Sequence, residues 1–382
     1  MSNASIALVQ PPRDKQGDGE MLIASTKRSL PSRAALTLIE VLTLLVVLVL
    51  LAALFMPSVR TAREAARRMQ CSNNLKQLSL AALNYESAYK IFPSAMAGTG
   101  NDNGPRAGNV NRLSGMVAML PFLESNGFWS EISEPSVING QDYPAMGPAP
   151  WIREYTPWQA DSSFLKCSSD ANGNERTGTK NYGFVIGDQA RQIHQPEALR
   201  GAFACRLYAR LDDVEDGASN TLGISEFASP NQRSVIGNVA IGQPSTILDQ
   251  PAKCLDLIER RAKKYSKNVL LAEFGRGEFW ADGSALNGLV NTILPPNAPS
   301  CAIGDANATD GYYTAGSMHA SGANAAMVDG SVHFFSENID AGMLSSPTLS
   351  VSQLSDPRGI ASPYGVWGAL GTINGQEKSD EL

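Results

Sequence analysis

Residues 36–56 constrain the fold of this chain more than any other stretch, because they are apolar almost without interruption. They include one carboxylate, Glu40, near their start. A helix of these twenty-one residues would be about 31 Å long, enough to cross the hydrocarbon core of a bilayer. A carboxylate inside such a helix costs about 2.5 kcal/mol or more unless another group pairs with it. The run therefore predicts a transmembrane helix in which Glu40 has a partner.

The sequence predicts that this helix continues beyond the apolar run. Pro57 follows the run but need not end the helix, because packing in membrane proteins accommodates proline kinks. Residues 57–93 resume helical spacing, and Phe92-Pro93 predicts where the helix ends. An amphipathic helix buries its apolar face, so we expect 57–93 to pack on the domain that follows. The residues of that face are Leu75, Leu78, Ala82, Tyr85 and Tyr89.

Residues 1–35 precede the apolar run as a polar leader rich in Ser, Pro, Arg and Lys. Either Met1 or Met21 could be the first residue of this leader. A cleaved secretory signal has an apolar core of about 7–15 residues, followed by small residues at the cleavage site. The run here is longer and continues into further helix, so we do not expect the run itself to be removed.

Residues 94–372 are rich in Gly, Asn, Pro and Ser and contain short apolar runs typical of strands. A short helix is predicted at 115–125. Asp329-Gly330 is typical of a hairpin turn, and it lies within the last of the strand-like runs. Residues 373–382 are predicted to be a polar tail. The strand-like runs are 182–187, 221–227 and 325–335.

Net charge and cysteine spacing argue against several functional classes. The net charge of −6 argues against nucleic-acid binding driven by bulk positive charge. The five cysteines include no C-x-x-C pair, which argues against a zinc ribbon or a thioredoxin-type site. If the domain is exported, Cys167, Cys254 and Cys301 are the candidates for a disulfide, and their pairing stays open. Cys71 is interpreted as a small packing residue of the helix.

Three carboxylates, Asp213, Glu215 and Asp216, directly precede a glycine. Calcium prefers oxygen ligands, so this turn is a candidate calcium site; the sequence suggests no other cofactor. The spacing differs from that of an EF-hand loop, and the same residues have good turn chemistry without a metal. Both interpretations stay open.

His319, Asn324, Asp329 and Gly330 belong to a motif of the form H-x-x-G-x-N…D-G-S-V. A catalytic histidine would need a nucleophile and an orienting group within about 3 Å. The sequence contains neither a nucleophile elbow nor an oxyanion loop, so we expect no enzymatic activity. Turns beside a strand explain the other three residues better, and His319 is then a half-buried hydrogen-bonding residue.

The segment Ala35-Leu36-Thr37-Leu38-Ile39-Glu40-Val41 resembles the processing site of type IV prepilins and type II secretion pseudopilins. In that family a prepilin peptidase cuts before a hydrophobic residue, and a glutamate is fifth in the mature chain. The resemblance implies cleavage between Ala35 and Leu36, pairing of Glu40 with the terminal amine of a neighbouring subunit, and a helix kink at Pro57. Ala35 replaces the usual Gly, and Leu36 replaces the usual Phe.

A second resemblance covers nearly all of residues 36–372. The chain is similar to a bacterial family that joins a prepilin-type N-terminus to a C-terminal domain of unknown function. That resemblance implies an α+β fold, in which a long N-terminal helix packs on an antiparallel sheet with large loop insertions. The segments that carry it are 62–89, 120–124, 164–170, 181–187, 213–226, 276–283, 294–301, 318–340 and 364–372.

Together these features predict a single-pass inner-membrane protein with residues 94–372 in the periplasm or outside the cell. We expect it to assemble with other pilin-like subunits into a pilus or pseudopilus of type II secretion or type IV pilus machinery. Its expected partners are a prepilin peptidase, those subunits and the inner membrane, with no nucleic acid. The alternative is a permanently anchored envelope protein whose outer domain binds carbohydrate or another ligand.

Overall fold

The computed structural model describes residues 37–100, 103–123, 126–305 and 309–376. These residues belong to two compact units, one ending at Pro57 and the other beginning at Ser58. The fold class is α+β, as predicted. The α-helices are α1 (Leu38–Tyr89), α2 (Gly115–Ala118), α3 (Asn126–Ser133), α4 (Ala171–Asn174), α5 (Ala285–Gly288), α6 (Val351–Leu354) and α7 (Gly365–Ala369).

The strands are short, and most of the second unit consists of loops and turns between them. The strands are β1 (Met96–Ala97), β2 (Leu113–Ser114), β3 (Ser136–Ile138), β4 (Gln141–Tyr143), β5 (Tyr182–Val185), β6 (Leu222–Glu226), β7 (Val239–Gln243), β8 (Ile258–Glu259), β9 (Lys264–Tyr265), β10 (Leu289–Val290), β11 (Ser300–Ile303), β12 (Gly311–Tyr312), β13 (Gly322–Met327) and β14 (Val332–Ser336).

Five strands form the main sheet, in the order β10-β5-β6-β13-β14. β10 runs parallel to β5, whereas the other neighbours are antiparallel, so the predicted antiparallel sheet is confirmed except at this edge. Tyr182 of β5 lies opposite Glu226 of β6, and Ala325 of β13 lies opposite Ser225 of β6. A second sheet has the order β12-β11-β7.

The three predicted strand regions are all present, as β5, β6 and the β13–β14 hairpin. The predicted helix at 115–125 is interrupted instead. α2 ends at Ala118, and a 3-10 turn then covers Leu120–Phe122. Pro121 has no N–H to donate, so it cannot continue the α-helical hydrogen bonding.

In the first unit, the described side chains of α1 between Leu38 and Leu51 are exposed. Among the described residues, no helix has the length and apolar character needed to span a bilayer. The predicted span at 36–56 includes Leu36 and side chains outside the described part of the chain, and it stays a prediction. α1 includes Pro57, and it ends before Lys90, whose φ of +61° is left-handed.

In the second unit, α1 packs on the sheet along the predicted face. Leu75, Leu78 and Ala82 are buried in one cluster with residues of the main sheet. The two tyrosines of that face are less buried than predicted: Tyr85 is half-buried and Tyr89 is 59% exposed. Both tyrosine rings contact Phe122 instead, with ring centroids about 6 Å apart.

Polar contacts complete the attachment of α1. The Asn74 side-chain amide donates to the carbonyl oxygens of Ser163 and Lys166, at 3.0 and 2.9 Å. Lys76 Nζ donates to the carbonyl of Gly330, in the turn between β13 and β14, at 2.7 Å. The Arg68 guanidinium lies 3.6 Å from the centre of the Phe334 ring. Hydrogen bonds and a cation–π contact therefore join the helix to two separate parts of the chain, the segment 163–166 and the β13–β14 hairpin.

Asn74→Ala tests this attachment. The substitution removes the donor to the Ser163 carbonyl oxygen and to the carbonyl oxygen of buried Lys166, so we expect the free energy of unfolding to fall by about 2 kcal/mol. Chemical denaturation of the full chain in detergent, followed by near-UV circular dichroism, measures the change. Asn73→Ala is the matched control, because Asn73 is exposed on the same helix. Equal losses from both substitutions would contradict the role assigned to Asn74.

Candidate functional site

His319 is the centre of a cluster built from four parts of the second unit, and all of its members except Glu64 are buried. α1 supplies Glu64 and Cys71, the loop before α4 supplies Cys167, and the last residue of β6 is Glu226. His319 itself lies three residues before β13 and is 4% exposed. We name Glu64, Cys71, Cys167, Glu226 and His319 the His319 cluster. Sequence reasoning singled out His319 but overlooked both glutamates, although each lies within one of the motif segments.

The two ring nitrogens of His319 face different groups. Nδ1 lies 2.7 Å from Glu64 Oε1, while Nε2 lies 3.5 Å from Cys167 Sγ and 3.9 Å from Glu226 Oε1. Partial burial raises the pKa of Glu64, but hydrogen bonds from His319 and Arg67 outweigh that effect and hold the pKa below its ordinary value. An ionised Glu64 only accepts hydrogen bonds, so a neutral imidazole carries its proton on Nδ1 and presents a lone pair at Nε2.

Glu226 is held in place by Asn324 on the neighbouring strand. The Asn324 backbone N–H donates to Oε2 at 2.8 Å, and its side-chain amide donates to Oε1 at 3.0 Å. Glu226 is 1% exposed, and this burial raises the pKa of its carboxyl above the ordinary value. Asn324, predicted as a turn residue, instead lies inside β13 and positions a buried carboxylate.

Cys71 and Cys167 form a disulfide whose Cα atoms are 5.1 Å apart. The interpretation of Cys71 as a packing residue was therefore wrong. A second disulfide joins Cys254 and Cys301, and Cys205 is a buried free thiol. The backbone N–H of Cys167 donates to Asn181 Oδ1 at 2.9 Å, which fixes its loop beside β5.

Asp329 and Gly330 form the predicted hairpin turn. Asp329 Oδ1 accepts the backbone N–H of Ser331 at 2.7 Å, and Gly330 has a φ of +82°, which favours glycine. The sequence motif thus divides into two parts. His319 and Asn324 contribute to the buried cluster, whereas Asp329 and Gly330 shape the turn that Lys76 of α1 contacts.

Two of the three candidate calcium residues, Asp213 and Asp216, accept hydrogen bonds within the protein. Asp216 accepts the backbone N–H groups of Gly375 and Gln376, at 2.7 and 3.2 Å, and Asp213 accepts that of Arg210. In the described part of the chain, Asp213, Glu215 and Asp216 do not gather into a set of ligating groups. Calcium binding stays a prediction.

The contacts of Asp216 with Gly375 and Gln376 also show that the predicted tail at 373–382 begins in packed structure, where Ile373 is buried.

The processing site at Ala35 and Leu36 lies outside the described residues. Glu40, expected to need a partner, has one at the start of its own helix. It accepts the backbone N–H of Thr37 at 2.8 Å and the Thr37 hydroxyl at 2.9 Å, while its own N–H approaches Thr37 Oγ1 at 3.4 Å. This reciprocal arrangement is a capping box, which satisfies N–H groups at a helix start. The capping box was not predicted from the sequence, although the T-x-x-E spacing at Thr37 and Glu40 is typical of one.

A cavity of about 380 Å³ lies elsewhere in the second unit, beside the buried carboxylate of Asp282. Asp282 accepts two hydrogen bonds from Arg112, at 3.0 and 2.7 Å, and others from Ser284 and Asn287. Aromatic side chains and arginines share the lining, so the cavity combines apolar walls with hydrogen-bond donors. Its lining includes Trp151, Arg153, His194, Phe274 and Phe279. The sequence contained no signal for it, because the lining residues come from distant segments.

His194 is a half-buried imidazole at this cavity. Its Nε2 accepts the backbone N–H of Ala285 at 2.9 Å. Burial, reinforced by the positive charge of Arg112, lowers the pKa of His194 to about 4 from an ordinary value of 6.5. Protonation would place a charge in this site and remove the acceptor that Ala285 uses.

This low pKa predicts a pH dependence of stability. Between pH 6.5 and about 4 the unfolded chain binds a proton that folded His194 does not, so the free energy of unfolding should fall as the pH falls, by about 3 kcal/mol at most. His194→Gln keeps an acceptor without a titrating group and should reduce this fall. Urea denaturation across the pH range measures it, with the exposed His333→Gln as the control. A pH profile of His194→Gln identical to that of the parent chain would refute the assignment.

Comparison with known proteins places the second unit in a family. The profile of a family described as "Protein of unknown function (DUF1559)" matches residues 60–342. No curated protein and no solved structure shows significant similarity to the chain. The match includes every residue of the His319 cluster and covers well over half of the chain. The chain therefore belongs to the DUF1559 family.

Proposed function

We propose that this chain is a prepilin-like membrane subunit that assembles into a pilus or pseudopilus of type II secretion or type IV pilus machinery. In this proposal a prepilin peptidase cuts between Ala35 and Leu36, and residues 36–56 hold the subunit in the inner membrane. Helix α1 then packs against the helices of other subunits. The domain at 94–372 is displayed in the periplasm or outside the cell.

The exposed apolar surface at the start of α1 carries the proposal. Every described side chain between Leu38 and Leu51 is exposed, and all of them except Glu40 and Thr43 are apolar. A contiguous apolar surface of this kind is unfavourable in water and marks a site of contact with lipid or with another protein. A membrane before assembly and neighbouring helices after assembly would each cover it.

The capping box is compatible with the pairing proposed for Glu40. Both hydrogen bonds from Thr37 end at Oε2, so Oε1 keeps its capacity to accept. The terminal amine of a neighbouring subunit would bring a positive charge to that oxygen, forming a charge-assisted hydrogen bond. Glu40 would then act within its own helix and between subunits at once.

The attachment of α1 to the domain also supports assembly. A subunit held in a filament by its helix must transmit load to the displayed domain. The Cys71–Cys167 disulfide and the contacts of Asn74 join the second half of α1 to the segment 163–167, and Lys76 joins it to the turn between β13 and β14. These contacts would keep the domain on its helix under load.

Glu40→Gln separates the two roles of Glu40. Glutamine also forms a capping box, so the helical content should be unchanged, whereas the charge that pairs with an amine is lost. We expect filament yield to fall at least ten-fold, measured by shearing and electron microscopy, with unchanged far-UV circular dichroism in detergent. Glu86→Gln, near the other end of α1, is the charge-matched control. Normal filament yield from Glu40→Gln would exclude the pairing.

Processing provides a second test. N-terminal sequencing and intact mass of the chain isolated from membranes should show a mature protein that begins at Leu36. A large charged substitution at the cleavage site, Ala35→Lys, should leave the leader attached and prevent assembly. An isolated chain that begins before Ser32 would overturn the proposal.

The aromatic and arginine-lined cavity favours a second candidate function, a permanently anchored envelope protein whose outer domain binds carbohydrate or another ligand. The acceptors at this cavity are used internally, since Asp282 receives hydrogen bonds from three residues and His194 Nε2 receives one. A ligand there would therefore supply acceptors and a flat apolar face. A chain that retains its leader but binds glycans, and loses that binding in Trp151→Ala, would favour this candidate.

A further inference from the structure

We propose that the His319 cluster is a zinc site that forms when the Cys71–Cys167 disulfide is reduced. The ligands would be Cys71 Sγ, Cys167 Sγ, His319 Nε2 and a carboxylate oxygen of Glu226. The proposal is independent of filament assembly, because all four residues lie in the second unit and are buried.

The spacing of the four ligand atoms fits a tetrahedral metal. All four lie within 4.8 Å of one another. Bond lengths to zinc of about 2.3 Å for sulfur and about 2.0 Å for nitrogen and oxygen place tetrahedral ligands roughly 3.3–3.8 Å apart. His319 Nε2 already lies 3.5 Å from Cys167 Sγ and 3.9 Å from Glu226 Oε1. Small side-chain movements would therefore bring the four atoms around one ion.

The surroundings of the ligands are those of a metal site. Metal-bound histidines usually donate their other ring N–H to a carboxylate, and His319 Nδ1 has Glu64 Oε1 at 2.7 Å. This contact directs the Nε2 lone pair toward the two cysteines. Ligating carboxylates are themselves held by hydrogen bonds, as Asn324 holds Glu226.

The donor set points to a structural ion. Two thiolates, one imidazole and one carboxylate complete a four-coordinate shell, which leaves no open position for substrate. Soft sulfur ligands favour zinc over calcium or magnesium. The ion would connect α1, the loop before α4, β6 and the loop before β13. The disulfide connects the first two of these segments, so zinc would keep α1 attached in a reducing environment.

The two states exclude each other, because the same sulfur atoms form either the S–S bond or the bonds to zinc. A phosphine or dithiol reductant supplies two electrons, and two protons convert the disulfide to two thiols. Zinc then displaces both thiol protons to solvent. A small-molecule disulfide that accepts two electrons from the thiolates and two protons from solvent is reduced to two thiols, the protein S–S bond re-forms, and the ion is released. Glu64, whose side chain is 37% exposed, lies on the route between solvent and His319.

The Cys254–Cys301 disulfide serves as an internal control for this proposal. Cys254 and Cys301 are also buried, and Cys254 Sγ lies 3.3 Å from the carbonyl oxygen of Pro299. Among the described residues, no histidine or carboxylate joins this pair in a set of ligating groups. Reduction should therefore create a metal site at one disulfide and not at the other.

Cobalt binding tests the proposal on the full chain in detergent. The protein is reduced with a phosphine until all five thiols are counted, and Co²⁺ is then added. We expect one Co²⁺ per chain with thiolate-to-cobalt charge-transfer absorption and tetrahedral d–d bands, and displacement by equimolar Zn²⁺. The oxidised chain should show neither band. Absence of these bands from the fully reduced chain would overturn the proposal.

Variants locate the site. Replacing Cys71 and Cys167 by Ser should abolish the charge-transfer absorption, whereas replacing Cys254 and Cys301 by Ser should leave it unchanged; the reverse result would contradict the proposal. Glu64→Gln removes no ligand and should weaken Co²⁺ binding about ten-fold, which keeps the test valid if a cysteine variant fails to fold. His319→Ala with unchanged affinity would also overturn it.

Discussion

The attachment of helix α1 to the sheet is the constraint on which the rest of the second unit depends. The helix contributes Leu75 and Leu78 to the core, but apolar packing alone would not define its rotation or its position along the sheet. Polar and covalent contacts supply that definition. Glu64 meets His319, Cys71 is bonded to Cys167, and both contacts would be lost if the helix turned by one residue.

Buried polar side chains act as cross-links in a domain with short strands. Arg200 and Asp188 form an ion pair in which both side chains are fully buried, and Arg200 also donates to the carbonyl of Ile360 at 2.7 Å. Asp170 accepts from the side-chain amide of Asn181 and the backbone N–H of Ser229, both at 2.6 Å. The backbone N–H and C=O groups of loops are not paired in a sheet as those of strands are. Buried polar side chains therefore supply hydrogen bonds that a sheet would otherwise provide.

The sequence predicts those parts of the fold that depend on neighbouring residues. The strand at 182–185, the Asp329-Gly330 turn and the buried face of α1 are each visible within about ten residues. The His319 cluster instead depends on contacts between residues that are far apart in the sequence, and no local pattern indicates such contacts. Glu64 and His319 are 255 positions apart, and Cys71 and Cys167 are 96 apart. The cavity beside Asp282 is hidden for the same reason, since Arg112 and Asp282 are 170 positions apart.

The order of the cysteines along the chain has a consequence for oxidation during export. Cys71 precedes Cys167, then comes Cys205, and Cys254 precedes Cys301, so neither disulfide encloses or crosses the other. If the exported part of the chain enters an oxidising compartment in order from Cys71 toward the C-terminus, Cys167 is the first thiol to follow Cys71. Cys301 is likewise the first to follow Cys254. Pairing in order of emergence thus yields both native bonds without disulfide exchange, provided that the unpaired Cys205 is buried before Cys254 appears.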